Sequence, residues 1–363
     1  MVATYKNRFL LEQLKHAYEA GKLHHANLIS SNRGGEGLPL ALELSKLLLC
    51  DFESACGKCR GCSRVSRLEH PDLNLTFPIV SGGPSGTSDD YITSFRTAFL
   101  ENPFLDSSTW QQVIASKNQQ LQIPVKEIQR LHKKLSLTPA EGKNKVLLLW
   151  VPESIKLAAS NKLLKLIEEP LKNTYIILIT HNKKKLLPTI LSRCAPWQCK
   201  PLTADDFASY FHAETKQTIA LLSLVFAPNL GAAITTKRDL SKTQVEVFAN
   251  WMRACYKGSP TELTGTVNEL AAMPKEGLKT LVSLSLHLLE RGFYHNVQAT
   301  DSSITELGVI NIKKLSAAVV PLGADSITKM LGSCLRDIER NVHVKTSLSA
   351  TSYRLNTAFK GGN

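Results

Sequence analysis

Lys145-Val146-Leu147-Leu148-Leu149-Trp150-Val151 opens the stretch that decides the fold. It runs on through Ala158-Ala159-Ser160-Asn161-Lys162-Leu163-Leu164-Lys165-Leu166-Ile167-Glu168-Glu169-Pro170 and Tyr175-Ile176-Ile177-Leu178-Ile179-Thr180 to Leu191-Ser192-Arg193-Cys194. Val146–Val151 and Tyr175–Thr180 are short apolar runs, the pattern of strands buried on both faces. Between them, residues 155–169 set Leu157, Leu164 and Ile167 on one helical face. Strand, helix, strand at this spacing predicts a right-handed parallel crossover unit.

Toward the N-terminus, residues 9–20 carry a helical stripe of Leu10, Leu11, Leu14 and Ala17. Ala26–Ser30 reads as a buried strand, Ser31-Asn32-Arg33-Gly34-Gly35-Glu36-Gly37 as a turn, and Leu40–Leu49 as a helix, with Pro39 suited to a first helical position. Strand, glycine turn and helix open an α/β nucleotide-binding fold. A working phosphate loop reads Gly-x4-Gly-Lys-Ser/Thr: the lysine reaches the phosphates and the hydroxyl holds magnesium. Here the first glycine is Ser31, the second Glu36, the lysine Gly37 and the hydroxyl residue Leu38, with Gly34 inside the turn. Glu36 sets a negative charge against phosphate, and both ligand side chains are gone, so tight Mg-ATP binding is not expected. The next strand agrees. Trp150 and Val151 stand where acids would hold magnesium and water, and Glu153, the nearest carboxylate, comes late.

Of eight cysteines, Cys50, Cys56, Cys59 and Cys62 crowd into one short segment, while Cys194, Cys199, Cys255 and Cys334 are scattered. A Cys-x2-Cys step lets a tight turn aim two sulfurs at one point, and four thiolates satisfy tetrahedral zinc. Gly57 and Gly61 lie inside the two steps and are suited to ease them. The spacing points to zinc, and leaves open an iron–sulfur cluster, a redox pair or unmetallated thiols. Four closed thiolates make a metal structural, with no open position for catalysis.

The 363 residues are 43% hydrophobic and 21% charged, enough apolar material for a packed core and room for two or three domains. No apolar stretch approaches the ~18–20 residues that span a bilayer. The N-terminus, with Lys6, Arg8, Glu12 and Lys15, lacks the apolar segment of a signal peptide. These features predict a soluble cytoplasmic protein with no membrane partner. A net charge of +13, from 44 basic and 31 acidic residues, favours a polyanionic neighbour, although the lysines are dispersed apart from Lys183-Lys184-Lys185. Residues 80–90 read as a loop and 91–138 as mainly helical. After Pro201 helical periodicity takes over, which predicts a small helical domain at about 201–240 and a second at about 241–363, with a joint near Lys237–Ser241.

The pattern Asn161-x-Leu163-Leu164-Lys165-x-x-Glu168-Glu169-Pro170, then a strand, then Ser192-Arg193-Cys194, resembles the bacterial clamp-loader family of AAA+ proteins. His25-Ala26, His70-Pro71-Asp72 and the four-cysteine insertion after the phosphate-loop helix resemble it too. The resemblance is strong over about 22–76 and 120–200; residues 80–120 match nothing in it and read as an insertion. It implies an AAA+ domain over 1–200 with a zinc module at about 50–76, then a helical lid over 201–240 and a helical collar over 241–363. Asn229-Leu230-Gly231-Ala232-Ala233 resembles the family's sensor-2 turn without its cation. The family's gamma-type ATPases keep the lysine and acids missing here, so the resemblance implies a non-catalytic member. Such a member joins gamma-type and delta subunits in a hetero-pentamer that loads a sliding clamp on primer–template DNA, and it supplies Arg193 in trans to a neighbour's ATP site. An active gamma-type ATPase and a stand-alone zinc-containing nucleic-acid-binding protein are the competing readings. Taken singly, Arg193 reads as a surface ion-pair residue, Glu168 and Glu169 as a solvated helix end, Cys194 and Trp150 as packing, and His25 as a satisfied histidine.

Overall fold

Strands β1 (Ala26–Ser30), β2 (Leu73–Thr76), β3 (Lys145–Trp150), β4 (Thr174–Thr180) and β5 (Ala195–Gln198) lie parallel in the order β2-β3-β4-β1-β5. They belong to a computed structural model that describes residues 6–80, 86–115, 119–141, 143–169, 171–211, 214, 219, 222–223, 226–239, 242–273, 275, 277–279, 281–282, 284–286, 288–289, 306–307, 310–340 and 342–361. Pro170, residues 81–85 of the loop read at 80–90, and residues 240–241 at the expected joint lie outside these. The chain forms two units: Met1–Ser209 with Pro228–Ala232, and Tyr210–Ala227 with Ala233–Asn363.

In the first unit every residue of β1 and β3 is buried, and Val146–Trp150 reads accordingly as an apolar run, while β1 also buries Asn27 and Ser30. Alternate side chains part to opposite faces. Val146, Leu148 and Trp150 join Ile29, Ile177 and Ile179 in one cluster, while Leu147 and Leu149 join Leu28, Ile176 and Leu178 in another. Helices α1 (Arg8–Glu19), α2 (Gly37–Leu48), α3 (Arg60–Ser66), α4 (Ile92–Glu101) and α5 (Ser107–Ile114) contribute to the first cluster. Helices α6 (Val125–Ser136), α7 (Leu157–Glu168) and α8 (Pro188–Leu191) contribute to the second. The crossover from β3 through α7 to β4 is parallel, as the sequence reading requires.

The edge strands β2 and β5 escape that reading. β2 is short, and β5 contains Pro196, which an edge position tolerates because one side of the strand needs no donor. β3 ends one residue before the expected Val151, which adopts a left-handed φ of 57° and so leaves the ladder. α2 starts at Gly37, two residues before the expected Pro39, since a proline anywhere in the first helical turn loses no hydrogen bond.

The unmatched insertion is built into this unit. Phe77 and Phe95 stack at 4.0 Å, Trp110 meets both edge-on at 5.3 and 5.2 Å, and Phe95 lies 5.7 Å from Trp150. Trp110 Nε1 donates to Pro78 O at 2.7 Å. A buried acid anchors the start of the insertion: Glu127 accepts from Thr76 Oγ1 (2.8 Å), Ser88 Oγ (2.7 Å) and Ser88 N–H (2.8 Å), and pairs with Arg130.

In the second unit, α9 (Lys242–Lys257), α10 (Pro260–Ala271), α11 (Ala324–Glu339) and α12 (Val344–Gly361) share a core that includes Trp251, Leu263, Leu331 and Leu348. Trp251 Nε1 donates to Ser352 Oγ at 2.8 Å. Where the sequence reading expects helices only, a two-residue antiparallel pair, Glu306–Leu307 with Ile310–Asn311, also occurs. Among the described residues no helix is long and apolar enough to cross a membrane.

Trp110→Ala removes two ring contacts, a hydrogen bond and a fully buried side chain at once. It is expected to destabilise the first unit by about 3–5 kcal/mol, read as a lower denaturation midpoint at unchanged slope.

Candidate functional site

The four clustered cysteines converge. Cys50 follows α2 directly, Cys59 caps α3, and Cys62 lies within α3. The four Sγ atoms all lie within 4.8 Å of one another, with Cys50 to Cys56 at 3.7 Å and Cys50 to Cys59 at 3.8 Å. Bonds of ~2.3 Å to one tetrahedral ion put the sulfurs about 3.8 Å apart. A cluster with one thiolate per iron needs them farther apart, so the spacing fits a single ion. Backbone N–H groups of Phe52, Cys59 and Cys62 donate to the sulfurs of Cys50, Cys56 and Cys59 at 3.4, 3.3 and 3.3 Å. Burial acts to raise the Cys50 thiol, but amides of Cys56, Ser54 and Phe52 offset it and lower the pKa to about 6. Burial pushes Cys59 and Cys62 upward. Four thiolates this close therefore need a cation to stay ionised together.

The glycines act differently from one another. Gly57 takes a left-handed φ of +69° in open space, which eases its step as expected. Gly61 is helical, and a Cβ on it would stand 2.4 Å from Leu49 O, so its role is to let α3 approach the end of α2. Arg64 pairs with Glu141 and ties the module to the segment before β3.

The phosphate-loop turn is closed by its own chain. Ser31 N–H donates to Thr180 O at 3.0 Å, which fixes the turn to the end of β4. Glu36 is buried and does not face a ligand: it accepts from the N–H groups of Lys6 (2.8 Å) and Asn7 (2.9 Å) and from the Asn7 side chain, at the start of α1. A Cβ on Gly37 would lie 2.4 Å from Ser31 Oγ, and Leu38 is a core residue. Gly34, at φ +60°, accepts from Gly231 N–H at 2.9 Å. A Cβ on Gly34 would lie 1.7 Å from Asn229 Oδ1, and one on Gly231 would lie 1.8 Å from Phe104 O.

Residues of the insertion complete the closure. Asn102 Nδ2 donates to Gly231 O at 2.9 Å, and Asn229 Nδ2 donates to Asp106 Oδ2 at 3.0 Å. Asn102, Phe104 and Asp106 were not singled out in the sequence. The only local signal there is Asp106 as a helix cap for Thr109, which says nothing of its distant partner. Trp150 is buried beside Phe95, and its ring lies 6.2 Å from His181. Burial holds His181 below its ordinary pKa, against the pull of Glu153. Glu153 accepts from Thr180 Oγ1 (2.8 Å) and His181 N–H (2.9 Å).

Arg193 joins neither group. Its Nε stands 2.6 Å from Glu168 Oε1, and Nη1 donates to Thr189 O at 3.1 Å. Its neighbours Ile190 and Cys194 are buried, with the Cys194 thiol pushed up to about 12 by burial. His25 Nε2 lies 2.8 Å from Ile167 O and is satisfied there.

Two measurements follow from this geometry. Protein purified under reducing conditions is expected to carry about one metal ion per chain, counted by elemental analysis; Cys59→Ser lowers the count and speeds hydrogen exchange in residues 50–66. Asp106 is the second case. Burial alone would raise it, but Thr109, Asn229 and Ser108 more than offset this and hold its carboxyl below 3.8. A depressed folded pKa gives stability that is full above the unfolded value and lost as pH falls through the folded one. From about pH 5 to pH 3 the wild type is expected to lose stability more steeply than Asp106→Asn in denaturant unfolding.

A family model described as DNA polymerase III, delta subunit, matches residues 6–203. DNA polymerase III subunit delta-prime of Bacillus subtilis is 29% identical over 53% of this chain and 47% of its own length. The Haemophilus influenzae subunit of the same name is 22% identical over 85% of this chain and 88% of its own. The match thus spans about half of the Bacillus relative and most of the Haemophilus one. A crystal structure of a DNA polymerase III gamma subunit-related protein from Thermotoga maritima aligns over 96% of this chain and 99% of its own, at 16% identity and a TM-score of 0.43. With the model covering more than half of its residues, the chain belongs to the DNA polymerase III delta-subunit family, as a clamp-loader subunit of delta-prime type.

Proposed function

We propose that this chain is the non-catalytic member of a DNA polymerase III clamp loader. It binds no ATP tightly, assembles with gamma-type and delta subunits in a hetero-pentamer, and offers Arg193 in trans to the ATP site of a gamma-type neighbour. The complex then sets a sliding clamp on primer–template DNA in the cytoplasm. In this reading residues 201–240 are a lid and 241–363 a collar that joins the subunits. The ion at Cys50, Cys56, Cys59 and Cys62 is zinc, which four thiolates favour and which holds the module's shape without taking part in chemistry.

The observation that carries the reading is the closure of the phosphate-loop turn by Gly231, Asn229 and the 102–106 segment. A turn occupied in this way has no lysine at position 37, no hydroxyl at position 38 and little space to give a triphosphate. The guanidinium of Arg193 is partly exposed on the motif that the resemblance assigns to a partner's site. Its planar fork suits the charge that develops on a transferred phosphoryl group, an effect worth about 10³–10⁵ in rate in other NTPases.

Calorimetry of the purified chain with Mg-ATP is expected to give no tight binding; micromolar affinity would overturn the reading. In a complex rebuilt with same-species subunits, Arg193→Ala is expected to leave assembly intact and lower the DNA- and clamp-stimulated ATPase in part, because other subunits serve other sites. Arg193→Lys is expected to restore little, since an ammonium does not reproduce the fork. Wild-type ATPase in both variants would remove Arg193 from the mechanism.

A further inference from the structure

The geometry points to Glu168 as the residue that positions Arg193, an inference that rests on the proposed role of Arg193 in trans. Glu168 is the last residue of α7, and Glu169 is its C-cap. Two adjacent carboxylates sit here at the negative end of a helix, where cations are favoured and acids are not. A placement that works against the helix calls for a compensating cation, and Arg193 supplies it, with Nε 2.6 Å from Glu168 Oε1.

Both partners are held from behind. Ile167, the residue before Glu168, is buried, and its carbonyl meets His25 Nε2 at 2.8 Å. Arg193 is held through buried Ile190 and Cys194, which share one apolar cluster with Leu163, Leu166 and Ile167 of α7. The carboxylate and the guanidinium are therefore presented by elements that pack as one body.

Two of the three guanidinium nitrogens are engaged by this chain. Nε faces Glu168, and Nη1 donates to Thr189 O at 3.1 Å and to Ser192 Oγ at 3.4 Å. Nη2 takes no partner from the described residues, and the side chain is 41% exposed. An arginine so arranged has its rotamers restricted by its own chain while Nη2 keeps its donors free of partners among the described residues. It loses less conformational freedom on meeting a phosphoryl oxygen than a free side chain does. Glu168 makes no contact with the partner's substrate in this arrangement; it acts through Arg193.

The test uses the loader rebuilt from same-species subunits, with clamp and primed DNA, and compares Glu168→Gln, Glu168→Asp, Arg193→Ala and the Glu168→Gln/Arg193→Ala double variant. Glu168→Gln is expected to lower kcat at the site served by this chain about threefold, the factor that an exposed ion pair supplies. KM for ATP, assembly and the melting temperature stay at wild-type values, and Glu168→Asp, which keeps the charge on a shorter arm, falls between. In the Arg193→Ala background Glu168→Gln is expected to change nothing further, which a purely structural role would not produce. A wild-type rate for Glu168→Gln beside a reduced rate for Arg193→Ala overturns this inference and leaves the proposed function standing. A further loss in the double variant also overturns it, because Glu168 would then act by another route. A wild-type rate for Arg193→Ala overturns the proposed role of Arg193 and this inference together.

Discussion

β4 lies between β3 and β1, with parallel partners on both sides and helices on both faces. That position admits no charged side chain along the strand, because an isolated buried charge is too costly. Polar groups of the sheet are therefore gathered largely at strand ends, while the cysteine centre and the Glu127 network are held by helices and loops. In open parallel sheets the crevice beyond the carboxyl ends of the strands is where ligands bind. Here that crevice receives Ser31 to Leu38 after β1, Val151 to Glu153 after β3, and His181 after β4. The chain fills it with its own amides, carboxylates and aromatic rings. Glu36 and Glu153 are satisfied internally, whereas Ser30 Oγ, Trp150 Nε1 and His181 Nε2 are buried there without a hydrogen-bond partner among the described residues.

What could be read from the sequence follows the range of the interactions. β3 and β4 were legible because burial leaves short, mostly apolar runs; α7 was legible as a helix, but its buried face runs through Ala159, Leu163, Leu166 and Ile167, and Leu157, expected on that face, is 66% exposed. The cysteine centre was legible because its ligands are neighbours in the chain, so their spacing alone encodes the convergence. β2 and β5 were not, because short edge strands carry mixed or proline-containing sequence. The partners of Glu36 lie some thirty residues earlier, and nothing local to Glu36 announces them. Asn102 and Gly231 are 129 residues apart, and the segment holding Asn102 has no composition that marks a contact. Sequence patterns report a residue's own environment far better than the identity of a remote partner.

Helix α2 ties the two sites together. It begins at the phosphate-loop turn and ends at Leu48, two residues before Cys50. At its far end, the approach of Gly61 to Leu49 O lets the cysteine module pack against the last turn. Nearly every residue of the helix is buried. Both ends are thus fixed by contacts that need no nucleotide, which leaves the helix little freedom to report on one.

The clash distances around the turn set what a phosphate site here would demand. A lysine placed at position 37 would meet Ser31 Oγ at its first carbon, and an acid placed at Trp150 would remove an indole packed on Phe95. Even with both in place, Phe104 O and Asn229 would still stand over Gly231 and Gly34. Each change taken alone lowers packing quality and gains no ligand contact. Building a phosphate loop onto this turn therefore calls for several substitutions made together, with the 102–106 segment moved aside at the same time.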